Sequence, residues 1–342
     1  MSDEPVIEDD LTLEDGILFH TKKGKPREMP RPLAPLADTH GHLTSFRGHD
    51  PARAIARAAL AGVRLLVVPV DPVDEIPRKW GSASALLAWL DEQVAAARGY
   101  LDRAAGLGLV PPAFEGWDVP ELLGPGGKDN VRIVAGAHPY GATELDDAAL
   151  TRTRELLASP RAVGVGEIGL DYGPYNELAP EVQLEAFRAQ LHLAHELNMP
   201  VELHIRDAND DPAATAHMDA ARLLCEEGVP EAGCDLHCFT SGPEVLAPFA
   251  ELGCHIAFGG AVTFKRSDDI REAAAACPQK LLLSETDSPY MAPVPLRGEE
   301  CEPAMVAFSA ACVADVREEA GIATREETYA ALWRNACELF GL

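Results

Sequence analysis

The stretch AVGVGEIGLDY, residues 162–172, decides how the chain is read. Val163 and Val165 alternate with small residues and lead to Glu167, followed by Ile168, Gly169, Leu170 and Asp171. An apolar, β-branched run of this length reads as a strand buried on both faces. A carboxylate at the end of such a strand is unfavourable unless positive charge meets it there. The reading taken is that a pair of divalent metal ions meets Glu167, with Gly166 and Gly169 kept small so that metal and substrate approach the backbone.

Seven more apolar runs of strand length surround this one, at 36–42, 64–70, 132–138, 200–206, 234–239, 255–260 and 281–287. Between the eight lie Ala- and Leu-rich helical stretches at 51–61, 82–105, 144–158, 180–197, 212–227, 243–252 and 268–276. Pro180, Pro212 and Pro243 suit first-turn positions, where proline loses no helical hydrogen bond. Helical patterns at 303–320 and 325–340 close the chain. Eight strands alternating with helices predict an α/β fold, the (β/α)8 TIM barrel. A doubly wound open sheet is the competing fold, but no GxGxxG turn follows the first strand to support it. The barrel is expected over residues 36–342, with an N-terminal arm or partly ordered tail at 1–35. Residues 71–130 are too long for an ordinary connection and read as an insertion on one rim, a lid or an oligomer contact.

Bulk composition narrows the classes. The 342 residues carry a formal net charge of −26 and 47% apolar side chains. That describes a soluble chain with a sizeable core and no basic surface for polyanions. No run reaches the roughly 18 apolar residues of a membrane span. The acidic N-terminus does not read as a secretory signal, and the eight cysteines form no CxxC pair. A cytoplasmic location with reduced thiols follows as the expectation. The short basic cluster from His20 to Arg27 reads as a solvated loop.

Catalytic groups of a TIM barrel sit at the C-terminal strand ends. Those ends hold His40 and His42, His138, Glu167, His204 and Arg206, His237, and Glu285 and Asp287. Residues two apart share a strand face, so each pair points the same way. Singly, each histidine reads equally well as a hydrogen-bonded core residue, and Asp287 as a turn residue before Ser288-Pro289. Together on one rim they read as a site for two divalent ions bridged by Glu167. Imidazole with carboxylate favours zinc, manganese, iron, cobalt or nickel, and magnesium fits if oxygen ligands dominate one position. Such ions activate water and clamp a phosphoryl oxygen. Arg206, Arg297 and, more weakly, Lys265 and Arg266 are candidates for the substrate's negative charge. His20, His49, His192, His195, His217 and His255 fall in the arm, loops, helices or a strand start and read as non-ligands.

With these residues named, the chain resembles the TatD family of metal-dependent hydrolases, described as deoxyribonucleases. The carriers are Asp38-Thr39-His40-Gly41-His42, AGAHP at 135–139, GEIGLDY at 166–172 and Q-x3-F-x2-QL-x-LA from Gln183. PVELHIRDA at 200–208, HCF at 237–239, ETDSPY at 285–290 and RGEECEP at 297–303 follow in family order. The resemblance implies a barrel whose metals are held by His40, His42, Glu167, His204, His237 and Asp287. It also implies 3′-to-5′ exonuclease action on single-stranded DNA or RNA. Gly41 stands where the family usually has cysteine, Thr44 where an acidic residue is common, and Tyr140 where a histidine is usual. These departures remove no proposed ligand but alter the pocket wall.

The expected function is therefore a metal-dependent phosphodiesterase with DNA as the partner bound locally. In it Asp287 takes the nucleophile's proton, Glu285 orients substrate or water, and Arg206 and His138 contact the substrate. A hydrolase of a small ester, amide or phosphoester is the alternative. A non-catalytic metal-binding protein is the third.

Overall fold

The computed structural model describes residues 11–342. Eight parallel strands form the barrel wall: β1 (Leu36–Asp38), β2 (Val63–Val70), β3 (Val131–Ala135), β4 (Ala162–Asp171), β5 (Val201–Arg206), β6 (Cys234–Leu236), β7 (His255–Phe258) and β8 (Leu282–Ser284). They pair in chain order from β1 to β8. The wall closes where Thr39 N–H donates to the Ser284 carbonyl (3.2 Å) and Gly41 bridges Ser288. Helices α1 (Pro51–Ala61), α2 (Ala83–Gly106), α3 (Asp147–Leu157), α4 (Pro180–Leu197), α5 (Thr215–Glu227), α6 (Pro243–Glu251), α7 (Asp268–Ala276), α8 (Val306–Glu319) and α9 (Arg325–Phe340) surround it. The (β/α)8 architecture is thus present, and the open-sheet alternative is set aside.

Local chemistry sets the helix ends. Asp50 caps α1 by accepting from Ala52 N–H (2.8 Å), Pro51 follows in the first turn, and left-handed Gly62 ends the helix. Pro180 and Pro243 occupy first turns as expected. Pro212 does not. Asp211 accepts from Ala213 and Thr215 N–H (2.9 and 2.8 Å), so a side-chain-bonded turn delays α5 to Thr215.

Residues 71–130 divide between the two ends of the barrel. Helix α2 is itself the crossover helix and packs on α1. The chain after it runs beneath the base, where the Arg64 guanidinium at the start of β2 donates to the Pro112 carbonyl (2.5 Å) and covers Phe114. Trp117 joins Trp333, Leu339 and Phe340 of α9 around the lower barrel interior, with Leu65, Val67 and Leu283. Only the segment before α2, from Asp71 to Arg78, reaches the mouth. The part of the expected rim insertion that follows α2 therefore plugs the opposite end.

The arm is built onto the barrel rather than trailing from it. Its two short strands, Phe19–His20 and Pro26–Arg27, pair antiparallel. Phe19 is buried against Ala292, Leu296 and Phe308, so the arm rests on the loop that follows β8. The acidic residues 1–10 lie outside the described residues.

The glycines of β4 serve its neighbour, not a bound group. A Cβ on Gly166 would lie 2.6 Å from Glu202 Cβ, and one on Gly169 (φ +140°) would lie 2.2 Å from the His204 carbonyl oxygen. These positions let β5 approach. Gly169→Ala is expected to destabilise the fold by about 1–3 kcal/mol through overpacking, with φ strain added. Urea unfolding measures it, and an unchanged midpoint would count against the close approach.

Candidate metal centre

The strands deliver a compact set of donors to the C-terminal mouth. His40 and His42 lie just past β1, where Asp287 N–H donates to the His40 carbonyl and His42 N–H to that of Ser288 (2.9 and 2.7 Å). The closure between first and last strands therefore fixes His40, His42 and Asp287 relative to one another. Asp287 and Cys238 are non-glycine residues in the left-handed region, at φ +54° and +48°. Such conformations persist where surrounding structure imposes them, commonly at functional sites.

The donors form one continuous cluster around Glu167, with the His40 and His237 rings stacked 3.8 Å apart, and can be divided into two sets. In the first, the Nε2 atoms of His40 and His42 lie 3.0 Å apart, with Asp287 Oδ1 at 3.9 and 3.6 Å from them. In the second, His204 Nδ1 lies 3.2 Å from His237 Nε2. Glu167 touches both: its Oε1 is 3.7 Å from His42 Nε2, and its Oε2 is 3.3 Å from His204 and 3.0 Å from His237. Metal–nitrogen bonds of about 2.0–2.1 Å in a tetrahedral site put ligand atoms roughly 3.3 Å apart. The observed separations bracket that value, so the donor sets fit a cation.

Carboxylates stand behind three of the four histidines. Glu202 Oε1 is 2.9 Å from His40 Nδ1, Asp171 Oδ2 is 3.0 Å from His204 Nε2, and Glu285 Oε2 is 4.0 Å from His237 Nδ1. Such partners set the tautomer and orientation of ligating imidazoles. The buried Glu202 Oε2, Glu285 Oε2 and His237 Nδ1 have no hydrogen-bond partner, and a cation at the histidines would supply the missing charge balance. Sequence reading passed over Asp171 and Glu202. Both were legible by alternation, since Asp171 follows Glu167 by four residues and Glu202 precedes His204 by two.

Protonation follows from burial and crowding. Burial, reinforced by His237 and His42, pulls the His40 imidazole well below its ordinary range. His138 is pulled down to about 3 by burial and by His204. Burial opposes charge on Glu167 too, but His138, His204 and His237 outweigh it and hold the carboxyl well below the usual range. Burial, with Asp287 adding to it, pushes Glu285 well up. For His204, Asp171 and Glu167 overcome burial and push the imidazole up to about 9. A cation at His204 Nδ1 would therefore compete with a proton there. Loading is expected to release a proton and to tighten about tenfold per pH unit until pH passes roughly 9. Titration calorimetry in buffers of different ionisation enthalpy reads this directly. Buffer-independent heats would contradict it.

His42, Glu167, His204, His237 and Asp287 line a cavity of about 990 Å³, with His40 fully buried beneath it. Arg206 and His138 line it. Glu285 does not: fully buried, it accepts from Cys238 N–H (2.5 Å) behind His237. Arg297 is also absent from the cavity, exposed with its guanidinium 4.2 Å from the Phe264 ring centre, and Lys265 and Arg266 are surface residues. Of the histidines read as non-ligands, His217 borders the cavity but is held by Asp207 (2.6 Å). Among the described residues no helix is long and apolar enough to cross a membrane.

A parallel barrel with clustered imidazoles and carboxylates at its C-terminal mouth defines the class of metal-binding barrel hydrolases. Residues 37–341 match the family model described as TatD related DNase, and the chain belongs to this TatD family of metal-dependent hydrolases. It is 35% identical over 212 residues to YabD of Bacillus subtilis, an uncharacterized metal-dependent hydrolase, covering 62% of this chain and 78% of that one. It is 39% identical over 165 residues to the 3′-5′ ssDNA/RNA exonuclease TatD of Pantoea vagans, covering 48% of this chain and 60% of that one. Its fold is like that of the TatD homolog YjjV of Escherichia coli, with TM-score 0.65, 24% identity and coverage of 90% and 98%.

Proposed function

We propose that the protein is a two-metal phosphodiesterase that removes nucleotides from the 3′ end of single-stranded DNA or RNA. The observation that supports this most is Glu167, whose two oxygens face two different donor groups. That is the arrangement a bridging carboxylate requires. His40, His42 and Asp287 would hold one ion and His204 and His237 the other. Zinc, manganese and magnesium are the candidates by donor chemistry. When bound, such a pair lowers the pKa of water to near neutrality and neutralises charge developing on a phosphoryl group.

The chain's own residues do the rest. Asp287 stands beside the first donor pair and takes a proton from the attacking water. Arg206, which lies 3.4 Å from Asp171, offers its guanidinium to a phosphate oxygen. His138 Nδ1 accepts from Tyr140 N–H (3.2 Å), so its proton resides on Nε2. A neutral imidazole in that tautomer donates a hydrogen bond to a substrate or leaving-group oxygen. Glu285, out of substrate reach, is proposed as a positioning residue for His237. The exonuclease name carried by the Pantoea relative supports the substrate class.

The competing reading, hydrolysis of a small ester, amide or phosphoester, draws on the acidic rim. Asp74, Glu75, Glu144 and Asp207 line the same cavity and repel a polyanion. A 5′-labelled single-stranded oligonucleotide decides between the two. With metal added, progressive shortening from the 3′ end, blocked by chelator, is expected. An intact oligonucleotide alongside hydrolysis of a small diester would sink the nuclease reading.

A further inference from the structure

Two tyrosines stand at the cavity mouth. Tyr140 is 46% and Tyr290 52% exposed, and both line the cavity. Each ring is braced edge-on by a rim histidine: Tyr140 against His138 with centroids 4.4 Å apart at 71°, and Tyr290 against His42 at 6.1 Å and 77°. His42 belongs to the first donor group, and the His138 ring lies 4.3 Å from that of His204 in the second. One aromatic surface therefore flanks each donor group. Arg206 Nη1 donates to the Tyr140 hydroxyl at 3.4 Å, which limits how far that ring can swing.

The charge around these rings matters. The rim is acidic and the chain carries −26, so long-range attraction for a polyanion is lacking. Beyond the local contact that Arg206 offers a phosphate, affinity must draw on short-range contacts that do not depend on phosphate charge. Base–aromatic stacking is such a contact, and every base has a face to offer. Burial, then Asp171 for Tyr140 and Asp287 for Tyr290, pushes both phenols up, so the rings stay neutral.

We infer that Tyr140 and Tyr290 are stacking platforms for the bases on the two sides of the scissile phosphodiester, and that they select single-stranded over paired nucleic acid. The inference rests on the nuclease reading and adds a specificity element to it. Paired bases are already stacked on each other and cannot reach either ring.

A cycle of tyrosine substitution against abasic substrate tests it with the metal-loaded full-length protein. Tyr140→Ala and Tyr290→Ala are each expected to lower kcat/KM on a single-stranded oligonucleotide by roughly tenfold. An abasic residue at the terminal or the penultimate position should lower it by a similar factor. Each tyrosine should couple to one position, so that the paired losses do not multiply. Tyr140→Phe and Tyr290→Phe, which keep the ring, should restore activity to within about twofold. Losses that multiply at both positions, or phenylalanine variants as poor as alanine, overturn the stacking role. A wild-type protein that loads metal but cuts neither substrate overturns the nuclease reading and the inference with it.

Discussion

On the proposed two-ion reading, Glu167→Ala is expected to reduce hydrolysis by on the order of 10³-fold and to lower metal content from two ions per chain to one or none. The size follows from what the carboxylate would do. A paired-ion site supplies several kcal/mol of transition-state stabilisation, and each 1.36 kcal/mol is about tenfold in rate. Without Glu167, the carboxylate left at His204 is Asp171, which faces its Nε2 at 3.0 Å, whereas His40 and His42 keep Asp287 beside their Nε2 atoms. The second ion should therefore leave first. Elemental analysis beside a nuclease assay checks both parts, with circular dichroism confirming the fold. Full activity with full metal content would remove Glu167 from the centre of the mechanism.

The second large effect lies away from the mouth. Arg57 donates from Nε to both oxygens of Glu302 (2.9 Å each) and from Nη2 to Oε1 (2.6 Å). The same guanidinium bonds the Thr12 hydroxyl and the Leu18 carbonyl, joining α1, the arm and the loop before α8. Glu302 is only 2% exposed. Removing Arg57 leaves the buried Glu302 charge opposed only by His49 and Arg53, and Arg57→Ala is expected to destabilise by about 3 kcal/mol at neutral pH. His49, 3.7 Å from Glu302, is a poor substitute.

The pH dependence has a definite sign. Burial opposes charge on Glu302, but Arg57 outweighs it and holds the folded-state pKa below the ordinary value. This contribution is present above the unfolded-state pKa and is lost as pH falls through the folded one. In Arg57→Ala the same carboxyl is expected to titrate above its ordinary value, so acid relieves it. The gap between the two proteins should narrow on acidification. Urea unfolding at neutral and acid pH measures it, and a constant gap would exclude the ion pair as the cause.

Much of this is legible in the sequence. Strand β4 announces itself by β-branched residues leading to Glu167, and the H-x-H and E-x-D pairs mark the ends of the first and last strands. Alternation also assigns Glu285 to the mouth, yet the residue ends behind His237, bonded to the Cys238 backbone. Its strand, β8, stops at Ser284, and beyond that point period two no longer governs where side chains go. Arg297 shows the same limit in a loop: its partner Phe264 comes from a distant part of the chain. The segment after α2 was read as rim material because a connection's length says nothing about which end of the barrel it covers.

By itself the sequence determined the barrel and most of the mouth, because strand periodicity and helix signals act over a few residues. It determined equally that positive charge for an anionic substrate must be local, since net charge is a sum over residues. Only the tertiary structure decided which oxygen of Glu167 faces which histidines, that Glu202 and Asp171 stand behind His40 and His204, and that the arm is pinned by Arg57. Those contacts join residues far apart in the chain, and their distances depend on how the barrel closes between β1 and β8.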